Sequence, residues 1–277
     1  MPGLIIAGKE VEVPGFKVRN FKDEPKLALR VGRPDGGNDG KRRTLKVSMV
    51  IIHTTKGIPG GSDKRPQILH PGMGPDTKAE DRTVNYWSTD PKPSGAHLVV
   101  DHDGSMACLA DLATVTAYHA GNSLINDCSI GIEMFQGSDA GLYEGQLKAT
   151  VALVNVLTAQ FGIQRQIPDM YRRRPVPVLE KGGKGVFGVF GHRDVSDNRG
   201  QGDPGDFIFD FLAKGGYERF NFDTREDKLE WKKRQAEINK KLNLHLDEDG
   251  VPGPGTRAAL KLLGYGDGLW VNAPVTK

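Results

Sequence analysis

Five short apolar runs at 47–53, 96–101, 105–110, 129–135 and 186–191, separated by stretches of helical periodicity, constrain this fold more than any other feature. Each is bounded by turn-forming residues and has the length of a strand. Asp101-His102-Asp103-Gly104 supplies a hairpin turn between the second and third. The clearest helix spans 144–161, with Leu147, Val151, Val154 and Leu157 at helical spacing and Gly162 as its stop. A shorter helix is predicted at 79–87, after a Gly/Pro-rich stretch at 57–75 that is long for a connection inside a compact domain. Strands alternating with helices in this way predict an α/β fold, a central mixed β-sheet flanked by helices.

At 277 residues and 37% hydrophobic content, the chain has material for one large domain and one small one. Residues 1–45 read as short extended pieces punctuated by Pro14-Gly15 and a glycine-rich loop, an N-terminal extension packing on the main domain at 46–214. After Lys214-Gly215-Gly216, residues 223–277 form a small all-α module. Its first helix is lined by Trp231, Gln235, Ile238 and Leu242, and its second starts at Thr256 and stops at Gly264. Asp247, Asp249 and Gly250 have a faint likeness to a calcium loop, but the final glutamate ligand is missing.

Net charge of +3 and a pI near 8.7 favour an anionic surface without demanding nucleic acid. The segment 164–184 alone carries Arg165, Arg172, Arg173, Arg174, Lys181 and Lys184 against Asp169 and Glu180, and reads as a solvated loop or a ligand-contacting one. Without aromatic platforms it does not make a nucleic-acid site. No apolar stretch approaches the roughly 18 residues of a membrane span, and the first ten residues lack the pattern of an export signal, so synthesis in the cytoplasm without a signal peptide is expected. Cys108 and Cys128 are too few for a disulfide framework and are expected to be free, structural thiols. Oligomeric state is not legible.

Chemistry concentrates at strand ends. His53 ends the first run and His192 the last, while Asp203 opens Asp203-Pro204-Gly205 ahead of an apolar stretch at 206–212. That stretch is predicted as a helix with Asp203 near its cap and Pro204 in its first turn. Two imidazoles and a carboxylate are a zinc ligand set that leaves a fourth position open, although a lone strand-end histidine is as often a structural residue. Glu133, in the apolar strand Ile130-Gly131-Ile132-Glu133-Met134-Phe135, is either a poised base or an edge-facing surface glutamate. His70, His102 and His245 sit in polar loops or a turn and are expected at the surface, and His97 reads as a hydrogen-bonded core residue. His119, beside small residues in Ala117-Tyr118-His119-Ala120-Gly121-Asn122, is a candidate for substrate or metal. His192-Arg193-Asp194 with Asn198 fails as a kinase loop because the asparagine arrives one residue early. Gly40-Lys41 fails as a phosphate loop because Asp35 and Arg42 occupy the wrong places.

Six motifs then stand in order: His53-Thr54-Thr55; Ser94-Gly95-Ala96-His97 before Asp101-His102-Asp103-Gly104; Tyr118-His119-Ala120-Gly121-Asn122; Asn126-Asp127-Cys128-Ser129-Ile130-Gly131-Ile132-Glu133; Gly191-His192-Arg193-Asp194; and Asp203-Pro204-Gly205. The series resembles that of the zinc N-acetylmuramoyl-L-alanine amidases, which include phage-type lysozyme amidases, recycling amidases and peptidoglycan recognition proteins. The resemblance covers about residues 46–214. The tail around Gly253-Pro254-Gly255-Thr256-Arg257 resembles the small peptidoglycan-binding module that accompanies such enzymes.

The resemblance implies that His53, His192 and Asp203 hold zinc, that Glu133 activates water, and that His119 and Asn122 line the substrate cleft. Where many relatives have a lysine two residues before the last ligand this chain has Gln201, and where some have a tyrosine it has Ala96. Arg199 and Gln201 are therefore the candidates for stabilising the oxyanion. The implied function is cleavage of the bond between N-acetylmuramic acid and L-alanine by a phage or prophage type endolysin acting on wall or periplasmic peptidoglycan after release or delivery. The alternatives are a cytosolic amidase recycling muropeptides and a non-catalytic peptidoglycan receptor.

Overall fold

All five apolar runs enter one six-stranded mixed sheet in the computed structural model, which describes residues 2–30, 40–55, 68–89, 94–137, 139–169, 187–196, 203–220, 225–250 and 254–263. Its strands are β1 (Val18–Asn20), β2 (Met49–Thr54), β3 (Leu98–Val100), β4 (Met106–Cys108), β5 (Ser129–Met134) and β6 (Gly188–Gly191). They lie in the order β6-β2-β5-β3-β4-β1. All neighbours are parallel except the hairpin pair β3 and β4. The helices are α1 (Ala79–Thr89), α2 (Ser123–Cys128), α3 (Glu144–Phe161), α4 (His192–Val195), α5 (Phe207–Lys214), α6 (Arg225–Leu242) and α7 (Pro254–Leu262). The chain thus has the α/β architecture expected of it.

Alternation along the central strands decides which face each residue serves. Val50 and Ile52 of β2, Ile130, Ile132 and Met134 of β5, and Val189 of β6 point into the main core. There they meet Leu147, Leu153, Val154 and Leu157 of α3 and Ile208, Phe209 and Leu212 of α5. The intervening residues Met49, Ile51 and Phe190 form a smaller cluster on the opposite face with Ile125 and Cys128 of α2, Ala120 and Val195. His53 shares its parity with Met49 and Ile51, so it projects from this second face. Main-chain pairing sets Glu133 directly beside His53 on the neighbouring parallel strand, and partners in register share a face.

Three features depart from the sequence expectations. The helix after Asp203 begins only at Phe207, with Asp206 at its N-cap, so Asp203 and the cis-linked Pro204 lie ahead of it in a turn. His102 is buried, its ring packed 5.1 Å from Phe135 and 4.8 Å from Tyr143, residues too distant in sequence for a turn motif to announce. β1, from the N-terminal segment, joins the central sheet as an edge strand beside β4. Gly40–Arg42, also from that segment, pairs with Val115–Ala117. Both cysteines are free and buried. His97 is fully buried and His245 exposed, as expected.

α6 and α7 build a separate small core from Trp231, Ile238, Ala259 and Leu260. Gln235 ties the intervening turn to α6, accepting from the Gly250 amide at 2.7 Å and donating to Asp249 at 3.0 Å. Among the described residues no helix is long and apolar enough to cross a membrane.

Glu80 on α1 is buried; its Oε1 accepts from the Ser105 hydroxyl at 3.1 Å and its Oε2 has no hydrogen-bond partner. Burial, reinforced by Asp101, pushes its carboxyl above the ordinary range. A raised carboxyl pKa means the folded chain holds the proton that the unfolded chain releases, so stability falls as pH rises through the folded value. Glu80→Gln is expected to raise the melting temperature at neutral pH and to leave it unchanged near pH 4, as thermal scans at both pH values would show.

Candidate metal centre

Three segments of chain bring the candidate ligands together at the C-terminal ends of β2 and β6. His53 sits in the last turn of the pleat of β2, and His192 follows β6 immediately as the first residue of α4. Asp203 comes from the turn before α5 and is pinned twice: its carbonyl accepts from the Arg193 amide at 2.7 Å, and its Oδ1 accepts from the Thr54 amide at 3.0 Å. All three are buried, with donor atoms within 4.8 Å of one another. His53 Nδ1 lies 3.0 Å from His192 Nδ1, which in turn lies 3.1 Å from Asp203 Oδ2.

A tetrahedral zinc with bonds of the usual length holds neighbouring ligand atoms about 3.3 Å apart, so the two spacings at His192 Nδ1 fall within a few tenths of an ångström of what the ion needs. Two imidazoles and one carboxylate are also donors that zinc accepts, and three of them leave a position for water or substrate. The residues present fit the ion.

Close approach of backbone elements makes the geometry possible. A Cβ on Gly191 would stand 2.6 Å from Pro204 Cδ, so only glycine lets the Asp203-Pro204 turn lie against the end of β6. Gly191→Ala is expected to displace Asp203 and weaken zinc binding, by about 10-fold or more if the shift reaches half an ångström, as titration against a chromophoric chelator would report. On β5 a Cβ at Gly131 would meet the His119 ring at 2.7 Å. That glycine leaves room on the sheet for an imidazole beside His53.

His119 was expected on the cleft wall. Both of its ring nitrogens are engaged within the protein, Nδ1 at 2.9 Å from His53 Nε2 and Nε2 at 3.1 Å from Ser129 Oγ. Burial, with His97, His192 and Arg43 adding to it, holds its pKa well below the ordinary imidazole value. Asn122 caps α2, its side-chain oxygen accepting from the amides of Leu124 and Ile125 at 2.9 and 3.2 Å. Arg199 and Gln201 lie outside the described residues. Glu133 is half-buried on the site face beside His53.

Beneath these residues lies a support that local sequence did not announce. Arg43, almost fully buried, donates to the carbonyls of Asp127 and of Ser129, the latter at 2.9 Å, and its Nη2 lies 3.0 Å from His97 Nε2. Burial lowers its pKa to about 10, and it stays charged at neutral pH. His97 accepts from the Gly131 amide at 3.0 Å through Nδ1, and burial, with Arg43 nearby, drives its pKa to about 3. Burial by itself would raise the Asp127 carboxyl, but hydrogen bonds from Thr116, from the Thr44 hydroxyl and from the Thr44 amide hold it below the usual range. The one available signal was a glycine inside an apolar strand, which marks close approach of another group.

The family model described as N-acetylmuramoyl-L-alanine amidase matches residues 43–206, more than half of the chain. No curated protein matches the sequence. Among solved structures, a mutant endolysin from Bacillus subtilis is 18% identical with a TM-score of 0.45, over 72% of this chain and 97% of its own. Peptidoglycan recognition protein SD of Drosophila is 14% identical with a TM-score of 0.46, over 75% and 99%. The N-acetylmuramoyl-L-alanine amidase LysC from Clostridium intestinale is 15% identical with a TM-score of 0.38, over 73% and 99%. Assignment rests on the family match, which spans all three candidate ligand positions: this chain belongs to the N-acetylmuramoyl-L-alanine amidase family.

Proposed function

We propose that the protein is a zinc-dependent N-acetylmuramoyl-L-alanine amidase of endolysin type, cutting the amide between N-acetylmuramic acid and L-alanine in peptidoglycan. The observation that carries this is the convergence of His53, His192 and Asp203 beside Glu133 on one face of the sheet. A zinc ion, when bound there, supplies a Lewis acid that acidifies water and polarises the amide carbonyl. His53 and His192 offer neutral nitrogens, and Asp203 contributes the one negative charge, leaving the site net positive toward a developing oxyanion.

Glu133 takes the proton of the attacking water and returns it to the leaving amine of L-alanine, because an amide nitrogen leaves only once protonated. Its position beside His53, half-buried, keeps it within reach of that water while limiting access of bulk solvent. Arg199 and Gln201 are the proposed donors to the oxyanion, and Asn122 a proposed contact to substrate at the start of α2. Residues 223–277 act as the wall-binding module in this proposal, which is why polymeric wall is favoured over soluble fragments. The protein acts on the wall after release or delivery.

Incubation of the purified protein with intact peptidoglycan, with and without chelator, tests this. New L-alanine amino termini that disappear with chelator are expected; new reducing ends would make it a glycosidase, and wall retention without release would make it a receptor. Glu133→Gln is expected to slow release by about 10²- to 10⁴-fold while the protein still binds zinc, and a variant of undiminished rate would remove Glu133 from the mechanism.

A further inference from the structure

We propose that His119 and Ser129 are positioning residues that fix the tautomer of His53, so that its Nδ1 lone pair faces the metal position before any metal arrives. The inference rests on the metal-site reading above and extends it to residues behind the ligand.

Directions of the hydrogen bonds leave little freedom. Ser129 has one hydroxyl proton, and it is given to the Ile125 carbonyl, which can only accept, at 2.6 Å. The contact at 3.1 Å between Ser129 Oγ and His119 Nε2 must then be made by a proton on Nε2. The opposite end of the hydrogen-bond chain sets the same direction: the Asp203 carboxylate, 3.1 Å from His192 Nδ1, can only accept, so His192 Nδ1 carries a proton and His53 Nδ1, 3.0 Å from it, is bare. His119 Nδ1 therefore accepts, and the 2.9 Å contact requires that His53 carry its proton on Nε2. His53 Nδ1, 3.0 Å from His192 Nδ1, is left as a lone pair. The carbonyl at Ile125 thus sets, through one hydroxyl and one imidazole, which nitrogen of His53 can ligate. Gly131 is part of the device, since a side chain there would occupy the place of the His119 ring.

Two measurements test this. Long-range ¹H–¹⁵N spectra of the metal-free protein should show His53 and His119 both protonated at Nε2; a His53 protonated at Nδ1 overturns the proposal without any reference to zinc. Zinc affinity, read by competition with a chromophoric chelator, should fall about 10- to 100-fold in His119→Ala. It should recover in His119→Asn, whose Oδ1 stands near the lost Nδ1 and accepts from His53. Ser129→Ala should let the His119 proton move to Nδ1 and weaken zinc binding in the same direction. Wild-type affinity in both His119→Ala and Ser129→Ala overturns the relay. A wild-type protein that binds no zinc at all sinks the metal reading instead, and the tautomer spectra still decide the relay.

Discussion

Asp203→Ala is expected to lower zinc affinity at least 100-fold and to remove the thermal stabilisation that zinc gives the wild-type chain under the proposed ligation. Asp203 is the only charged member of the proposed ligand set, so its loss leaves two neutral imidazoles to hold a dication. A site filled at 100 times its dissociation constant stabilises the native state by about 2.7 kcal/mol, and melting scans with and without zinc would show that increment vanish in the variant. Truncation also strands the buried Thr54 amide, which donates to Asp203 Oδ1 at 3.0 Å. An unsatisfied buried donor costs about 1–3 kcal/mol, so the metal-free variant should melt lower as well. Asp203→Asn separates the two effects: its amide oxygen can accept from Thr54, which restores the metal-free stability, while the missing charge leaves zinc binding weak. Equal zinc affinity in the wild type and in Asp203→Ala would show that the ion sits elsewhere.

Arg43→Met is expected to destabilise the fold by about 3 kcal/mol, which for a domain of this size lowers the melting temperature by about 6–12 °C. The side chain fills similar volume but cannot donate, so the carbonyls of Asp127 and Ser129 lose a charged partner inside the protein. The Asp127 carboxylate, whose charge acts on Arg43, keeps the threonine donors and the nearby charge of Lys41. Adding Asp127→Asn should recover part of the loss, because it removes a buried charge that Arg43→Met leaves with one cation fewer. Additive destabilisation in the double variant would show that the two charges do not interact. Ser129 begins β5 and holds His119, so zinc affinity should fall in Arg43→Met even at temperatures where the protein is fully folded.

These residues also show what could be read in the chain. The apolar runs that became β2 through β6 were legible because each buried strand is continuous in sequence, and α3 runs over the predicted 144–161 because its apolar spacing and its glycine stop agree. His53 and His192, the proposed ligands, were legible as strand ends. Their nearness was not, because it depends on β6 pairing with β2 and not with β4, a choice that no local pattern encodes. Glu133 could be singled out as a carboxylate in an apolar strand, but its place beside His53 follows from the register of β5 against β2. Asp203 was expected near the helix cap, but the cap falls three residues later, at Asp206, whose carboxylate accepts from Arg193. Arg43 and Ser129 stayed hidden because a buried arginine looks in sequence like any surface one, and a serine before a strand like any turn residue.

One consequence of the strand order concerns the time course of folding. His53 and His192 stand 139 residues apart along the chain and meet only when β6 has docked on β2. Ordering so distant a contact closes a long loop and comes late in assembly. An ion that needs both histidines has nothing to hold until that docking is complete, so it lowers the energy of the finished structure and not of the barrier before it. At the proposed site zinc should therefore leave the refolding rate almost unchanged and slow unfolding in proportion to its binding energy, making the metal a clamp on the native chain's lifetime.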